Sequence, residues 1–206
     1  MSGLLLKDFY ILMKDCRMNV IIALGFSLFG VFNGNPFWVV WPVLMCGLMP
    51  GSIMGLEEQS GWLAYADTMP WSRKTVVTAK YVFLLLMVLG VTALLAVVYT
   101  LTGALVKMEM TIPDLFAISL IIGIVPSCVM LPVNFKMGTV KGRLWYFAAI
   151  ALAAGIGGGV GALLIDKGVG IPQNAGDFYW VLFVLPVAVL AVSWLLAVKF
   201  YEKREL

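Results

Sequence analysis

The sequence contains no histidine among its 206 residues, and only 12% of the residues are charged. Histidine is the commonest general base and metal ligand of proteins, so its absence argues against a hydrolase or transferase acting within a membrane. The motifs H-E-x-x-H and G-x-S-x-G do not occur either. We therefore expect a protein that is not an enzyme by itself.

Cysteine and nucleotide-binding motifs are also scarce. Cys16, Cys46 and Cys128 are an odd set without close spacing, which is typical of neither a disulfide framework nor a metal cluster. No G-x-x-x-x-G-K-[ST] motif occurs, and the glycine-rich run 155–161 lacks a lysine. We expect this chain to bind no cofactor, and any ATP hydrolysis to occur in a separate subunit.

Long apolar runs make up most of the chain. A hydrocarbon core of about 30 Å requires about 20 apolar residues per helix. The turn at Asn33–Pro36 separates the first two runs. The sequence thus predicts an all-α membrane protein, a single transmembrane domain over 1–206, with six transmembrane helices at Met18–Gly34, Phe37–Gly55, Tyr81–Val106, Leu115–Val133, Leu144–Ile165 and Phe178–Val198.

Almost all lysines and arginines lie on one side of the membrane that these helices would cross. With six spans, Lys107 and Lys167 lie on one side, and the other twelve of the 14 basic residues lie on the side of the termini. The positive-inside rule then places both termini in the cytoplasm. Because these residues are scattered over short segments, their expected partners are anionic lipids and not nucleic acid.

The first seventeen residues predict an interfacial helix. Charges occur throughout this stretch, and in hydrocarbon each would cost about 2.5–3.5 kcal/mol. We expect an amphipathic helix over 1–17 on the cytoplasmic leaflet. Its apolar face would hold Leu5, Leu6, Phe9, Leu12 and Met13, and its charges Lys7, Asp8, Lys14 and Asp15 would lie elsewhere.

Two sets of glycines predict close helix contacts. Gly47, Gly51 and Gly55 recur every fourth residue in the second predicted span, and the fifth span contains Gly155, Gly158 and Gly159. Small residues at this spacing let two helix backbones approach closely. Packing within the chain and contact with a second copy both remain open.

The longest hydrophilic stretch connects the second and third predicted spans. Pro70 disfavours helix at the preceding residue, and Ser72 can cap the helix that follows. We expect a short surface helix from Glu57 to Asp67. Glu58, Trp62 and Tyr65 would share one face of it, either to meet a partner protein or to anchor the helix at the interface.

This stretch also resembles a known family. The residues Glu57-Glu58, Trp62, Tyr65, Thr68-Met-Pro-Trp-Ser-Arg-Lys74, Val77, Lys80 and Tyr81 are similar to the second cytoplasmic loop of bacterial type-2 ABC exporter permeases. The opening Leu4-Leu-Leu-Lys-Asp-Phe-Tyr10 resembles the start of that family. The layout of six spans agrees along the whole chain.

The resemblance implies a permease that pairs with a second permease, commonly identical, and with two ABC ATPase subunits that bind ATP and magnesium. It implies that residues 56–76 form the coupling segment seated on the ATPase. Trp62 and Tyr65 would pack there, and charged contacts would come from Glu57, Glu58, Arg73 and Lys74. Thr68 and Pro70 belong to the same segment.

The resemblance extends to small permeases that export phenol-soluble modulins and antimicrobial peptides. It implies a protein of the bacterial cytoplasmic membrane whose substrate is a hydrophobic or amphipathic peptide or a lipid. An ion-coupled carrier or channel remains an alternative, although the predicted spans contain no ionisable group to bind a driving ion. A non-transporting membrane scaffold is the other alternative.

Overall fold

The protein is described from a computed structural model, which covers residues 2–15, 17–18, 21–22, 25–26, 29, 36–68, 71–102, 112–166 and 175–203. Helices account for nearly all of these residues, and no strand occurs among them. The all-α prediction is therefore confirmed for this part of the chain. The helices are α1 Ser2–Asp15, α2 Pro36–Gln59, α3 Trp62–Asp67, α4 Arg73–Thr102, α5 Ile112–Met137, α6 Thr139–Asp166 and α7 Ala175–Glu202.

Three helical stretches in the described residues are long and apolar enough to cross a membrane. They are Arg73–Val98, Pro113–Met137 and Val184–Glu202. The first predicted span lies mostly outside the described residues, and the count of six spans stays a prediction. The helices also run past the predicted spans into polar sequence, because a helix can continue into the interfacial region.

The start of α4 agrees with the capping signal in the sequence. The hydroxyl of Ser72 accepts a hydrogen bond from the backbone N–H of Thr75 at 3.2 Å, and the helix begins at Arg73. A side-chain oxygen at this position satisfies an N–H that has no partner within the helix. The predicted cap is confirmed.

The centre of the fold is α5, which contacts α2, α4, α6 and α7. Its side chains Leu131 and Phe135 are buried, and the Phe135 ring lies 5.2 Å from that of Tyr201 on α7. The outer faces of α4 and α7 expose large apolar side chains, including Leu86 and Leu195. An apolar exterior of this kind suits contact with lipid.

The glycine stripe of α2 packs inside the chain. A Cβ placed on Gly47 would lie 2.8 Å from the Ser127 hydroxyl oxygen and 2.9 Å from the carbonyl oxygen of Gly123, so the backbones of α2 and α5 are in close contact. Gly51 faces Met130 in the same way, and Gly55 lies near Thr139. Gly155 on α6 has open space around it, and the surroundings of Gly158 and Gly159 lie outside the described side chains.

The faces of α1 differ from those expected. Leu4, Asp8 and Leu12 form its buried stripe, whereas Phe9 and Met13 are exposed. Grouping Leu12 with Phe9 and Met13 on one face was therefore wrong, as was placing Asp8 on a different face from Leu12. The reason is that Asp8 has buried charged partners on other helices, which the periodicity of α1 alone does not reveal.

Candidate functional site

The helix is interrupted between α2 and α3 at a glycine. Gly61 has φ 69° and ψ 15°, a left-handed conformation that favours glycine, and Ser60 donates to the carbonyl oxygen of Glu57 at 3.1 Å. The predicted continuous helix from Glu57 to Asp67 is therefore wrong. Glu58 lies on α2 and does not share a helical face with Trp62 and Tyr65, which belong to α3.

A buried cluster of charges lies where α1, α2 and α4 meet. The ammonium of Lys80 is 2.8 Å and 2.9 Å from the two carboxylate oxygens of Asp8, and 2.7 Å from Oε1 of Glu57. Lys80 is 3% exposed, Asp8 1% and Glu57 2%. One lysine thus joins carboxylates from two other helices in a region with little access to water.

A second lysine completes this cluster and extends it to α3. The ammonium of Lys7 contacts Oε1 of Glu57 and lies 3.3 Å from Oδ1 of Asp8. It also lies 3.4 Å from the centroid of the Trp62 ring, a cation–π contact. Two positive and two negative side chains therefore balance, as burial of charge requires. We call Lys7, Asp8, Glu57 and Lys80 the charge cluster.

The neighbouring Glu58 joins the end of α2 to the start of α6. Its Oε2 accepts hydrogen bonds from the backbone N–H of Thr139 at 3.0 Å and from the Thr139 hydroxyl at 2.7 Å. Gly138, with φ 88°, makes the turn between α5 and α6 beside this carboxylate. A negative charge at a helix N-terminus is stabilising, because the N–H groups there carry partial positive charge.

The C-terminal part of the predicted coupling segment, residues 56–76, is attached to α7. The Arg73 guanidinium donates to the backbone carbonyl oxygens of Tyr201 at 3.2 Å and Glu202 at 3.1 Å, which are among the last carbonyls of that helix. These carbonyls have no partner within a helix, so a cation satisfies them. Lys74 lies 4.0 Å from the Glu202 carboxylate, and both side chains are exposed.

The remaining predicted coupling residues divide into exposed and inaccessible ones. Tyr65 is 59% exposed and Lys74 is exposed, as is Trp71, which was not among the predicted coupling residues. Thr68 is exposed and donates its hydroxyl hydrogen to the Tyr65 carbonyl oxygen at 2.7 Å. Glu57 is buried, so it has no surface for the charged contact with a partner that was expected. Pro70 lies outside the described residues.

The comparison with protein families agrees with this arrangement. The family described as ABC-2 family transporter protein matches residues 3–202. The chain belongs to the ABC-2 transporter family. No curated protein and no solved structure matches this ABC-2 chain. Membership makes it a multi-pass membrane permease of an ABC transporter, and the family implies a partner ABC ATPase subunit.

Three members of the charge cluster in this ABC-2 permease, Lys7, Asp8 and Lys80, were missed as site residues. Asp8 was treated as a surface charge, although its spacing from Leu4 and Leu12 by four residues places it on their face. Lys80 was named in the family resemblance and counted as a residue flanking a span, but it was given no role. Its position two turns inside α4 could have indicated a buried partner, because a lysine there must reach either solvent or a carboxylate.

Proposed function

We propose that this chain is the permease subunit of an ATP-driven exporter, and that residues 56–76 transmit the motion of a separate ABC ATPase to the helices. The observation that supports this most is the attachment of the segment at both of its ends. One end is held by the charge cluster and by Glu58, and the other by Arg73. A displacement of α3 would therefore act on several helices together.

In this proposal the attachments transmit force from the segment to the helices. Buried ion pairs with several short contacts resist separation, because each separated charge would remain in a poorly solvated site. Lys80 connects the segment to α1 and α4, Glu58 connects it to α6, and Arg73 connects it to α7. Such a segment would move as one body with the ends of these helices.

The surface offered to the ATPase would be formed by Tyr65, Thr68, Trp71 and Lys74. Tyr and Trp are enriched at protein interfaces, because a large ring gives contact area and a polar atom. In this proposal Trp62 has a different role: it holds α3 against Lys7. Glu57 and Glu58 hold the segment in place and do not contact the ATPase directly.

The proposed cargo is a hydrophobic or amphipathic peptide or lipid-like molecule, moved out of the cytoplasm or the inner leaflet. In the described sequence of α5, no charged residue lies between Asp114 and Lys136. An uncharged helix at the centre of the fold is compatible with apolar cargo. We further propose a bacterial plasma membrane location with both termini cytoplasmic, a second identical permease, and ATP and magnesium bound in the ATPase.

The experiment that tests this function is co-purification. The tagged chain is co-expressed with the ABC ATPase encoded beside it, extracted in mild detergent, and assayed for bound ATPase and for ATP hydrolysis. We expect a stable complex, and we expect Tyr65→Ala to lower the bound ATPase at least about fivefold, since interface aromatics are commonly worth more than 1 kcal/mol.

The matched control is Tyr10→Ala. Tyr10 is a tyrosine of similar exposure on a different helix, α1. If this variant loses the ATPase to the same extent as Tyr65→Ala, or if neither loses it, α3 is not the docking surface. A chain that never retains the ATPase would contradict the exporter proposal as a whole.

A further inference from the structure

An apolar groove of about 510 Å³ runs between α5 and α7 on the outside of the helix bundle. Its one hydroxyl, that of Ser193, donates to the carbonyl oxygen of Cys128 at 2.5 Å and pairs with the Tyr81 hydroxyl at 2.6 Å. The groove therefore offers almost only hydrocarbon to an occupant. Much of its lining consists of Pro132, Val133, Val189, Val192, Leu196 and Phe200.

Two exposed lysines lie at the end of this groove where α5 and α7 finish. The ammonium of Lys136 lies 4.9 Å from the centroid of the Phe200 ring, which lines the groove. Lys199 follows Leu196 by three residues, as Lys136 follows Pro132 by four, and such residues share a helix face. The groove is thus apolar along its length and positively charged at one end.

These lysines have no carboxylate partner among the described residues. Glu202, the acid nearest to Lys199 along α7, is 4.0 Å from Lys74. The last carbonyl oxygens of α7 receive the Arg73 guanidinium. Among the described residues at this end of α7, the negative groups therefore lie beside α4 side chains, which leaves Lys136 and Lys199 to meet an anion.

We propose that the groove and these two lysines bind a membrane phospholipid with an anionic headgroup. An acyl chain lies in the groove, and the headgroup phosphate meets Lys136 and Lys199. Basic sites between helices at a membrane surface attract anionic headgroups, and an apolar groove open to the bilayer accepts the attached chain. The site is independent of the ATPase and of the cargo.

A second copy of this chain fits the groove less well. In a two-fold symmetric dimer the same surface of both copies meets, which would bring Lys136 and Lys199 of each copy toward those of the other. Like charges brought together in this way repel each other. Charge complementarity therefore favours the anionic lipid.

The test is a lipid titration of the purified full chain in detergent, followed by native mass spectrometry. Phosphatidylglycerol and phosphatidylcholine with identical acyl chains are compared. We expect phosphatidylglycerol to bind about tenfold more tightly, and the double variant Lys136→Ala/Lys199→Ala to remove that preference. The matched control, Lys14→Ala/Lys141→Ala, removes two exposed lysines outside the groove and should retain it.

A second variant tests the groove itself. Val192 lines the groove and is exposed, so Val192→Trp can fill it without disturbing the core. We expect weaker binding of both lipids. Equal binding of the two lipids by the unmodified chain, or an equal loss in the control variant, would overturn the proposal. So would a Val192→Trp variant that dissociates a dimer while its lipid binding is unchanged.

Discussion

Lys80 and Asp8 form a buried ion pair between residues 72 positions apart in sequence, with the ammonium 2.8 Å and 2.9 Å from the two carboxylate oxygens. The pair joins the N-terminal helix α1 to α4. Glu57 accepts from the same ammonium, so the end of α2 belongs to the same contact. The geometry of the proposed coupling segment thus depends on the first residues of the chain.

We expect Lys80→Met to destabilise the protein by about 3 kcal/mol. Removing one member of a buried ion pair leaves the other charge without compensation, at a cost of roughly 3–5 kcal/mol. Lys7 remains beside Asp8 and Glu57, which places the expected value at the lower end. The measurement is reversible unfolding of the purified chain in mixed micelles.

The control for this variant is Lys74→Met. Lys74 lies 4.0 Å from Glu202, and both side chains are exposed, so this pair should contribute less than about 1 kcal/mol. If the two variants unfold alike, the charge cluster does not stabilise the fold. Adding Asp8→Asn to Lys80→Met should recover part of the loss, because it removes a buried charge.

We expect Gly47→Ala to destabilise the chain by roughly 1–3 kcal/mol, the usual effect of overfilling a packed core. The new methyl group would lie 2.9 Å from the carbonyl oxygen of Gly123 and 3.0 Å from the Tyr146 hydroxyl oxygen, so α2 and α5 would have to separate. The measurement is the same unfolding assay.

Gly90→Ala is the comparison for that substitution. Gly90 lies within α4 and has no atom within 4 Å of an added Cβ. In an exposed helix interior alanine is favoured over glycine by roughly 0.5–1 kcal/mol. Equal effects of the two substitutions would mean that close approach of α2 and α5 is not what Gly47 provides.

The structural features that depend on local composition, the long helices and the Ser72 cap, were predicted from the sequence. Apolar runs identified the long helices, and Ser72 was recognised as a cap because capping involves residues close in sequence. The break between α2 and α3 was not predicted, although Gly61 stands in the sequence within the helix that was predicted there. A glycine within a helical pattern is often tolerated, and its left-handed backbone depends on the surrounding contacts.

The proposed site was predicted less well than the helices. Glu57 was expected to be accessible, because acidic residues in a hydrophilic loop are usually solvated. Its burial depends on Lys80 and on Lys7, which lies 50 residues away in sequence. One sequence does not show which distant charges pair, so the partners appear only once the helices are packed.

We expect Glu58→Ala to reduce transport without releasing the ATPase. The substitution removes the acceptor for the Thr139 N–H and hydroxyl, so α6 loses a cap worth about 1 kcal/mol and its attachment to the segment. In reconstituted vesicles, ATP hydrolysis should continue while cargo movement per ATP falls several-fold.

Gln59→Ala is the matched control for that experiment. Gln59 is the next residue and is exposed. The Gln59→Ala substitution should leave the ratio of cargo transport to ATP hydrolysis unchanged. A Glu58→Ala variant with a normal ratio would show that α6 does not receive motion through this carboxylate, and loss of the ATPase itself would show that Glu58 acts in docking.

We expect Ser193→Ala to destabilise the chain more than Tyr81→Phe. The Ser193 hydroxyl donates to the Cys128 carbonyl oxygen, so the Tyr81 hydroxyl, 2.6 Å away, donates to Ser193. Tyr81→Phe removes one hydrogen bond, and Ser193 keeps its acceptor, for a loss of about 1 kcal/mol. Ser193→Ala leaves the buried Tyr81 hydroxyl and the carbonyl without this partner, a loss of about 1–3 kcal/mol.

The double variant separates this explanation from a simple loss of packing. With Phe at 81, the Ser193→Ala change no longer leaves a tyrosine hydroxyl unpaired, so its added cost should be smaller than in the unmodified chain. Unfolding of the four proteins in the same micelles gives the coupling energy directly. Strictly additive losses would mean that the two hydroxyls, although 2.6 Å apart, stabilise α4, α5 and α7 independently.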